Sequence, residues 1–166
     1  DTLVLSVNTE NDNGNVTVAN KLESAGEGAW DGETAAKPKQ DENGVYLISN
    51  GAELAWFAGA VNGTLKDDSG DAIAATPEIS GKVIADIELA GRNWTPIGSS
   101  GVKFTGTFDG GSHTISGLYV NVIGKTGYLG LFGSISGATI QNVNVYGDVS
   151  LTSSESVSNA YVGGVV

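Results

Sequence analysis

The stretch 94–118, which reads WTPIGSSGVKFTGTFDGGSHTISGL, is too rich in glycine to form a helix. Each glycine in a helix interior costs up to about 1 kcal/mol relative to alanine, whereas short strands joined by tight turns tolerate glycine. Phe104, Gly106 and Phe108 alternate with threonines, which gives a strand one apolar face and one hydroxyl-bearing face. Asp109 opens a DGG turn signal, and a second strand follows it. The stretch therefore predicts short β-strands connected by tight turns.

An apolar spacing of i, i+3 and i+5 recurs along the second half of the chain. The three sets are Ile84, Ile87 and Leu89; Ile115, Leu118 and Val120; and Ile140, Val143 and Val145. The GLFG element that begins at Gly130 also returns at Gly164. Repeats of this length are typical of solenoids, propellers and arrays, and strand-only units of variable length favour a stacked solenoid. The sequence therefore predicts an all-β fold, a right-handed parallel β-helix (solenoid) with an N-terminal capping α-helix and an N-terminal β-hairpin.

The chain divides into three predicted regions. Residues 1–27 form an N-terminal hairpin and connector, because an Asn-Gly turn signal lies between two alternating segments. Residues 28–81 form a cap region, and residues 82–166 form the parallel β-helix, truncated at its C-terminal end. A stacked unit needs a neighbour to bury its apolar face, and exposed strand edges recruit other chains. We therefore expect a longer native solenoid and self-association through the open C-terminal coil.

One helix is predicted in the cap region, at about 50–62. Asn50 and Glu53 form a capping-box pattern, and Gly63 supplies a stop signal. The apolar face consists of Leu54, Phe57, Ala58 and Val61. Because the ends of a solenoid expose strand edges, we expect this helix to be the lid that covers the first coil.

Several longer motifs occur in a fixed order. They are WTPIG at 94–98, FTGTFDGGSHTISGL at 104–118, GYLGLFGSISGATIQNVNV at 127–145 and YVGGVV at 161–166. In these motifs the chain resembles the GLUG-type parallel β-helix repeat of bacterial cell-surface and adhesin-like proteins. The likeness covers about 30–166, although the segment 64–80 is longer than that family's usual linker.

The resemblance implies a scaffold more than a reaction. It implies a non-catalytic extracellular module at the bacterial cell surface, which serves as a rigid spacer or an adhesion surface. The alternative on the same scaffold is a carbohydrate-binding or carbohydrate-active protein of the lyase or hydrolase kind. The partner that we expect is a host or cell-surface glycan or protein.

Charge and hydropathy exclude two classes of partner. The net charge is −11, and residues 1–81 carry 14 acidic and 4 basic side chains, against 5 and 4 in residues 82–166. Nucleic-acid binding requires a basic stripe, which this sequence does not have. No segment approaches 18 consecutive apolar residues, so we expect no membrane insertion in this segment. The sequence has no cysteine, which excludes thiolate chemistry and disulfides.

Two sets of side chains are candidates for chemistry. His113 is the sole histidine and could act as a base or a metal ligand, but a turn residue that bonds the neighbouring coil is the simpler interpretation. Asp86 and Glu88 share one face of a strand, with Lys82 and Arg92 nearby, as in polysaccharide lyases. They flank an inward-facing isoleucine, so we interpret them as solvent-exposed. We expect no catalytic, cofactor-binding or metal site.

Two further features leave alternatives open. The acidic loop 67–71, DDSGD, could bind calcium through oxygen ligands, yet it departs from the spacing of an EF-hand. Aromatic side chains could form a strip on which sugars stack, with Trp94 expected in the core and Tyr119 and Tyr146 expected at the surface. The candidates for the strip are Trp30, Trp56, Trp94, Tyr119, Tyr128, Tyr146 and Tyr161.

Overall fold

The computed structural model describes residues 28–123, 126–152 and 159–165, so the predicted hairpin within 1–27 lies outside the described residues. The described residues form one helix and ten strands. In chain order these are β1 Lys39–Gln40, β2 Tyr46–Ile48, α1 Gly51–Asn62, β3 Gly81–Val83, β4 Ile87–Glu88, β5 Thr107–Asp109, β6 Thr114–Ile123, β7 Thr126–Leu129, β8 Thr139–Gln141, β9 Asn144–Thr152 and β10 Asn159–Val162.

The strands form three sheets in this part of the chain. Their orders are β1-β2-β3-β5-β8, β4-β6-β9 and β10-β7. Every pairing within them is parallel except that of β1 with β2. Parallel neighbours are distant in sequence, since Ile87 pairs with Ile115 and Ile115 with Val145. Successive stretches of the chain therefore lie side by side in register.

The predicted fold class is wrong. The described residues form a mixed α/β structure, with a 12-residue helix and small sheets of mostly parallel strands, and no closed solenoid or parallel β-helix is detected among them. Glycine density and apolar spacing report on strand propensity and burial, which are local properties. They do not determine whether separate sheets close around one axis. The helix also contributes side chains to the core, which an all-β fold does not provide for.

The recurring apolar spacing does not coincide with the register of the strands. That spacing matched Ile84 with Ile115 and Ile115 with Ile140, whereas the strands pair Ile87 with Ile115 and Ile115 with Val145. Ile84 is 44% exposed. A β-bulge in β6 interrupts the pairing with β9, so equal spacing in sequence does not translate into equal positions in the sheet.

The predicted helix is confirmed as Gly51–Asn62. The side-chain oxygen of Asn50 accepts a hydrogen bond from the backbone N–H of Glu53 at 3.0 Å. The Glu53 carboxylate in turn accepts the backbone N–H of Ser49 at 2.7 Å, which satisfies a further donor at the helix start. Gly63 follows in the left-handed conformation, with φ 68°, and ends the helix.

The helix does not cover a strand edge in the way we expected. The outer edge of β2 is paired with the two-residue strand β1, in antiparallel register. The helix instead directs its apolar face into the core, where Leu54, Phe57 and Val61 are fully buried. Within the described residues, no helix combines the length and the apolar character that crossing a membrane requires.

A cluster of phenylalanines joins the helix to the strands. The ring of Phe57 lies 6.0 Å from that of Phe104 and 5.7 Å from that of Phe108, centroid to centroid. Phe132 closes the cluster at 5.5 Å from Phe104 and 5.2 Å from Phe108. Most of these pairs are edge-to-face, an arrangement that stabilises beyond the area buried. Phe104 and Phe108 therefore form the apolar face that the sequence predicted.

Two tryptophans anchor the segment that precedes β1. Trp30 is buried and packs edge-to-face on Trp94 at 5.6 Å. The Trp94 indole donates to the carbonyl oxygen of Leu131 at 3.1 Å, and the Trp30 indole donates to that of Thr34 at 2.8 Å. Trp94 is therefore a core residue, as predicted, and it contacts both the segment before β1 and the loop after β7.

Candidate functional site

The exposed carboxylates beside the parallel strands accept hydrogen bonds from the neighbouring strand. Asp86 accepts the backbone N–H of Thr114 at 2.9 Å, across a separation of 28 residues. Glu88 accepts the hydroxyl of Ser116 at 2.7 Å and also the backbone N–H of Ala90 at 2.6 Å. Together these two carboxylates link β4 to β6.

Asp109 makes the corresponding link between β5 and β8. Its carboxylate accepts the amide of Asn142 at 3.0 Å, the amide of Gln141 at 3.1 Å and the backbone N–H of Gly111 at 2.9 Å. The Asn142 amide lowers the pKa of Asp109 most, followed by the Gly111 backbone, and the nearby Lys82 contributes least. We define Asp86, Glu88 and Asp109 with their bonded partners as the carboxylate ladder.

His113 contacts this ladder. Its Nδ1 lies 3.4 Å from Oδ1 of Asp86, which places the ring against the neighbouring stretch of chain, the contact that the turn interpretation predicts. The hydrogen bond from Thr114 lowers the pKa of Asp86 most, and His113 adds to it. Among the described residues, no group of three or more His, Cys, Asp or Glu side chains could hold a metal ion.

The structure separates the four residues of the lyase-like interpretation. Asp86 and Glu88 both serve the ladder, while Lys82 stands opposite Asp109 in the pairing of β3 with β5. The stem of Arg92 packs over Gly32, on the segment that precedes β1. Two of the four residues are therefore brought together, and the two cations lie against other partners.

The acidic loop 67–71 is organised by its own backbone. Oδ1 of Asp67 accepts the backbone N–H groups of Ser69 and Asp71, each at 2.9 Å. Lys66 and Ala72 form an antiparallel bridge at the base of the loop. Calcium binding by this loop stays a prediction.

The aromatic side chains do not share one surface. Trp30 and Trp94 are in the core, and Trp56 packs on Tyr46 with Lys37 over its ring at 5.6 Å. Tyr119, which we expected at the surface, is half-buried. The side chain of Tyr161 lies outside the described part of the chain. Tyr146 is 66% exposed on β9 and Tyr128 is 41% exposed on β7, so they belong to different sheets.

A shallow groove of about 250 Å³ lies beside Tyr128, and we name it the Tyr128 groove. It is formed where the end of the helix, the segment after Trp94 and strand β7 meet. Its lining residues are Asn62, Thr95, Pro96, Gly98, Ser99, Ser100, Gly127 and Tyr128. The sequence alone placed Tyr128 among seven candidate aromatics and did not predict the groove, because the other lining residues come from segments that only the fold brings together.

The floor of the groove is held from both sides. The Asn62 amide nitrogen donates to the carbonyl oxygen of Pro96 at 2.9 Å, and its amide oxygen accepts the backbone N–H of Gly98 at 2.9 Å. Behind the floor, Ile97 pairs in parallel with Phe132. Gly98 has φ 80°, and a Cβ there would overlap the Ser134 carbonyl oxygen, so only glycine fits. The floor is therefore a fixed surface.

No protein-family model, curated protein or solved structure matches this chain.

Proposed function

We propose that this chain is a non-catalytic extracellular module of a bacterial surface protein, in which it serves as a rigid spacer or an adhesion surface. The observation that carries the proposal is the carboxylate ladder. Its side chains join β4 to β6 and β5 to β8 across 28 to 33 residues of sequence. Polar side chains that bond adjacent strands stiffen the structure. The resemblance of the motifs to the GLUG-type repeat supports the assignment to the bacterial cell surface.

The direction of the pKa shifts disfavours a general-acid role for two of the ladder carboxylates. A carboxyl group that acts as a general acid at neutral pH needs a raised pKa. In the ladder, hydrogen-bond donors lower the pKa of Asp86 and of Asp109. Both groups are therefore held ionised, and Oδ1 of Asp86 and both oxygens of Asp109 accept hydrogen bonds from the neighbouring stretch of chain.

Single-molecule force spectroscopy on the chain, placed between reference domains and pulled from its ends, tests the spacer role. We expect one cooperative unfolding event, at a force that falls when Asp109→Asn and Glu88→Gln are combined. Asp68→Asn, in the acidic loop outside the ladder, is the matched charge-removal control and should leave the force unchanged. Gradual extension without a force peak would contradict the proposal.

The carbohydrate-active alternative predicts a different result. An enzyme would release reducing ends or unsaturated sugars from polygalacturonate, xylan or alginate, and Asp86→Asn with Glu88→Gln would abolish that release. We expect no turnover above that of the double variant. Sustained turnover that depends on these two carboxylates would replace the spacer assignment with an enzymatic one.

Self-association through the last strands stays a prediction. Strands β8 and β9 are the outer members of their sheets in the described part of the chain, and outer strands recruit further chains. Ile140, Val143 and Val145 on or beside them are only half-buried. Sedimentation over a concentration series should show dimers that Val143→Lys weakens and that Ile84→Lys, at an exposed site elsewhere, leaves intact. A strictly monomeric chain would contradict it.

A further inference from the structure

We propose that the Tyr128 groove binds a neutral oligosaccharide, with one sugar ring seated against the Tyr128 side chain. This binding site is additional to the spacer role and does not depend on it. Four properties of the groove lead to this ligand class: its aromatic lining residue, its hydroxyl-bearing rim, its lack of charge and its fixed floor.

Tyr128 lines the groove, and its side chain is 41% exposed. A tyrosine presents an apolar face together with a polar hydroxyl, which suits a ligand that is wet at one edge and apolar at another. A pyranose ring has this character, because its axial C–H bonds form an apolar face and its hydroxyls lie around the edge.

The rim supplies hydroxyl groups. Thr95, Ser99 and Ser100 are exposed and line the groove. The oxygen of Ser99 accepts the backbone N–H of Val102 at 3.1 Å, which fixes the hydroxyl in place and leaves its proton to donate. Hydroxyls that both donate and accept match the hydroxyls of a sugar, which do the same.

The uncharged groove and the acidic chain favour neutral sugars over acidic ones. None of the described residues that line the groove carries a charged side chain. The chain as a whole carries a net charge of −11, which disfavours the approach of anions. Sialylated, sulfated or uronic-acid chains are therefore poor ligands, and neutral sugars are the matching class.

The fixed floor reduces the cost of binding. Asn62 ties the end of the helix to Pro96 and Gly98, and the stretch after β7 supports the same segment from behind. A surface that is already ordered loses little conformational entropy when a ligand binds. The volume of about 250 Å³ is below that of a typical enclosed ligand pocket, so the groove holds one ring of a longer chain.

A printed array of neutral oligosaccharides, each beside its sialylated or sulfated counterpart, tests the proposal. The full chain is displayed as a streptavidin tetramer, because weak single sites are detected through avidity. We expect retention of neutral chains over their acidic counterparts. For a retained oligosaccharide, ¹⁵N NMR titration of the chain without streptavidin should shift the amides of Gly98, Ser99, Ser100 and Tyr128.

Three variants distinguish the effect of losing the Tyr128 ring from the effect of disturbing the fold. Tyr128→Ala should weaken binding roughly tenfold, since the stacking contact is lost. Tyr128→Phe keeps the ring and should keep most of the affinity. Tyr146→Ala removes the more exposed tyrosine on β9 and should leave binding unchanged. Each variant is checked by thermal unfolding, and the unfolding force of Tyr128→Ala should match that of the parent chain.

Several outcomes would overturn the proposal. They are the absence of any retained neutral chain, an equal or greater preference for acidic chains, a folded Tyr128→Ala variant that binds as the parent does, and amide shifts that cluster around Tyr146. None of these outcomes alters the force measurement, so failure of the sugar site and failure of the spacer role are distinguishable.

Discussion

The inner strands and the last strands of the sheets differ in burial although their side chains are equally apolar. Phe108 on β5 and Ile115 on β6 are fully buried, whereas their register partners Ile140 on β8 and Val145 on β9 are only half-buried. An inner strand has a neighbour on each side, and a last strand has one. Position in the sheet, and not hydrophobicity, therefore sets how much each residue contributes to stability.

The largest effect is expected where the helix meets the inner strands. Phe57→Ala removes a fully buried ring that contacts Phe104 and Phe108, and should destabilise by about 3–5 kcal/mol. Trp56→Ala, on the half-buried side of the same helix, should cost less. Chemical denaturation measures both. A Phe57→Ala chain as stable as the parent would show that the helix is not part of the core.

Two isoleucines, one on an inner strand and one on an outer strand, test directly how strand position affects the loss of stability. Ile115→Ala should cost about 2–5 kcal/mol, because the site is fully buried between two strands. Ile140→Ala removes the same atoms from an outer strand, where part of the side chain already faces water, and should cost about half as much. Equal losses in urea denaturation would mean that Ile140 is covered in solution, for instance by a second copy.

A smaller effect is expected where strands approach closely. A Cβ on Gly147 in β9 would overlap the carbonyl oxygen of Leu118 in β6, so Gly147→Ala should cost about 1–3 kcal/mol. Gly164 has open space around its Cβ position, and Gly164→Ala is the control that should be nearly neutral. Thermal unfolding of the two variants tests this, and similar melting temperatures would show that β9 can move away from β6 at little cost.

The smallest expected effect is a loss of stability at acidic pH. The pKa of Asp109 is lowered from 3.8, chiefly by the Asn142 amide, and the Thr34 hydroxyl contributes most to lowering that of Asp31 from 3.8 to about 2. A carboxyl group with a depressed folded-state pKa stabilises above its unfolded-state pKa and loses that contribution as the pH falls through the folded-state value. Stability should therefore decline below about pH 4 and towards about pH 2.

Thermal melts from pH 5 to pH 2 measure this decline. Asp109→Asn should reduce the loss of stability at the upper end of this pH range, because the carboxyl group of Asp109 is no longer there to be protonated. Asp68→Asn, in the exposed acidic loop, is the control for removal of one negative charge and should keep the slope of the parent. An unchanged slope in Asp109→Asn would show that the ladder does not contribute to acid stability.

Local features of the fold could be predicted from the sequence. The capping pattern of Asn50 and Glu53 located the start of the helix, and the alternation around Phe104 and Phe108 identified a buried face. Both depend on interactions within a few residues or on hydrophobicity alone. Whether the sheets close around one axis depends on interactions between distant segments, and the expectation of a parallel β-helix failed there.

In the Tyr128 groove, too, the local features could be predicted from the sequence and the contacts between distant segments could not. Exposure of an aromatic side chain could be guessed, yet Tyr119 and Tyr128 look alike in sequence and differ in their surroundings. The contact of Asn62 with Pro96 and Gly98 spans 34 to 36 residues and has no local signature. An asparagine before glycine at the end of a helix is interpreted as a terminator, so its role in holding the groove floor becomes visible only in three dimensions.

The even spacing of the strand pairings has a consequence for folding kinetics. Bonds along the carboxylate ladder join residues 28 to 33 positions apart, so each new pairing must first close a loop of about that length. The entropy of loop closure varies only with the logarithm of length, so successive pairings meet similar barriers. Chains dominated by such non-local pairings fold slowly compared with helical bundles. We therefore expect folding to proceed as a series of closures of comparable length.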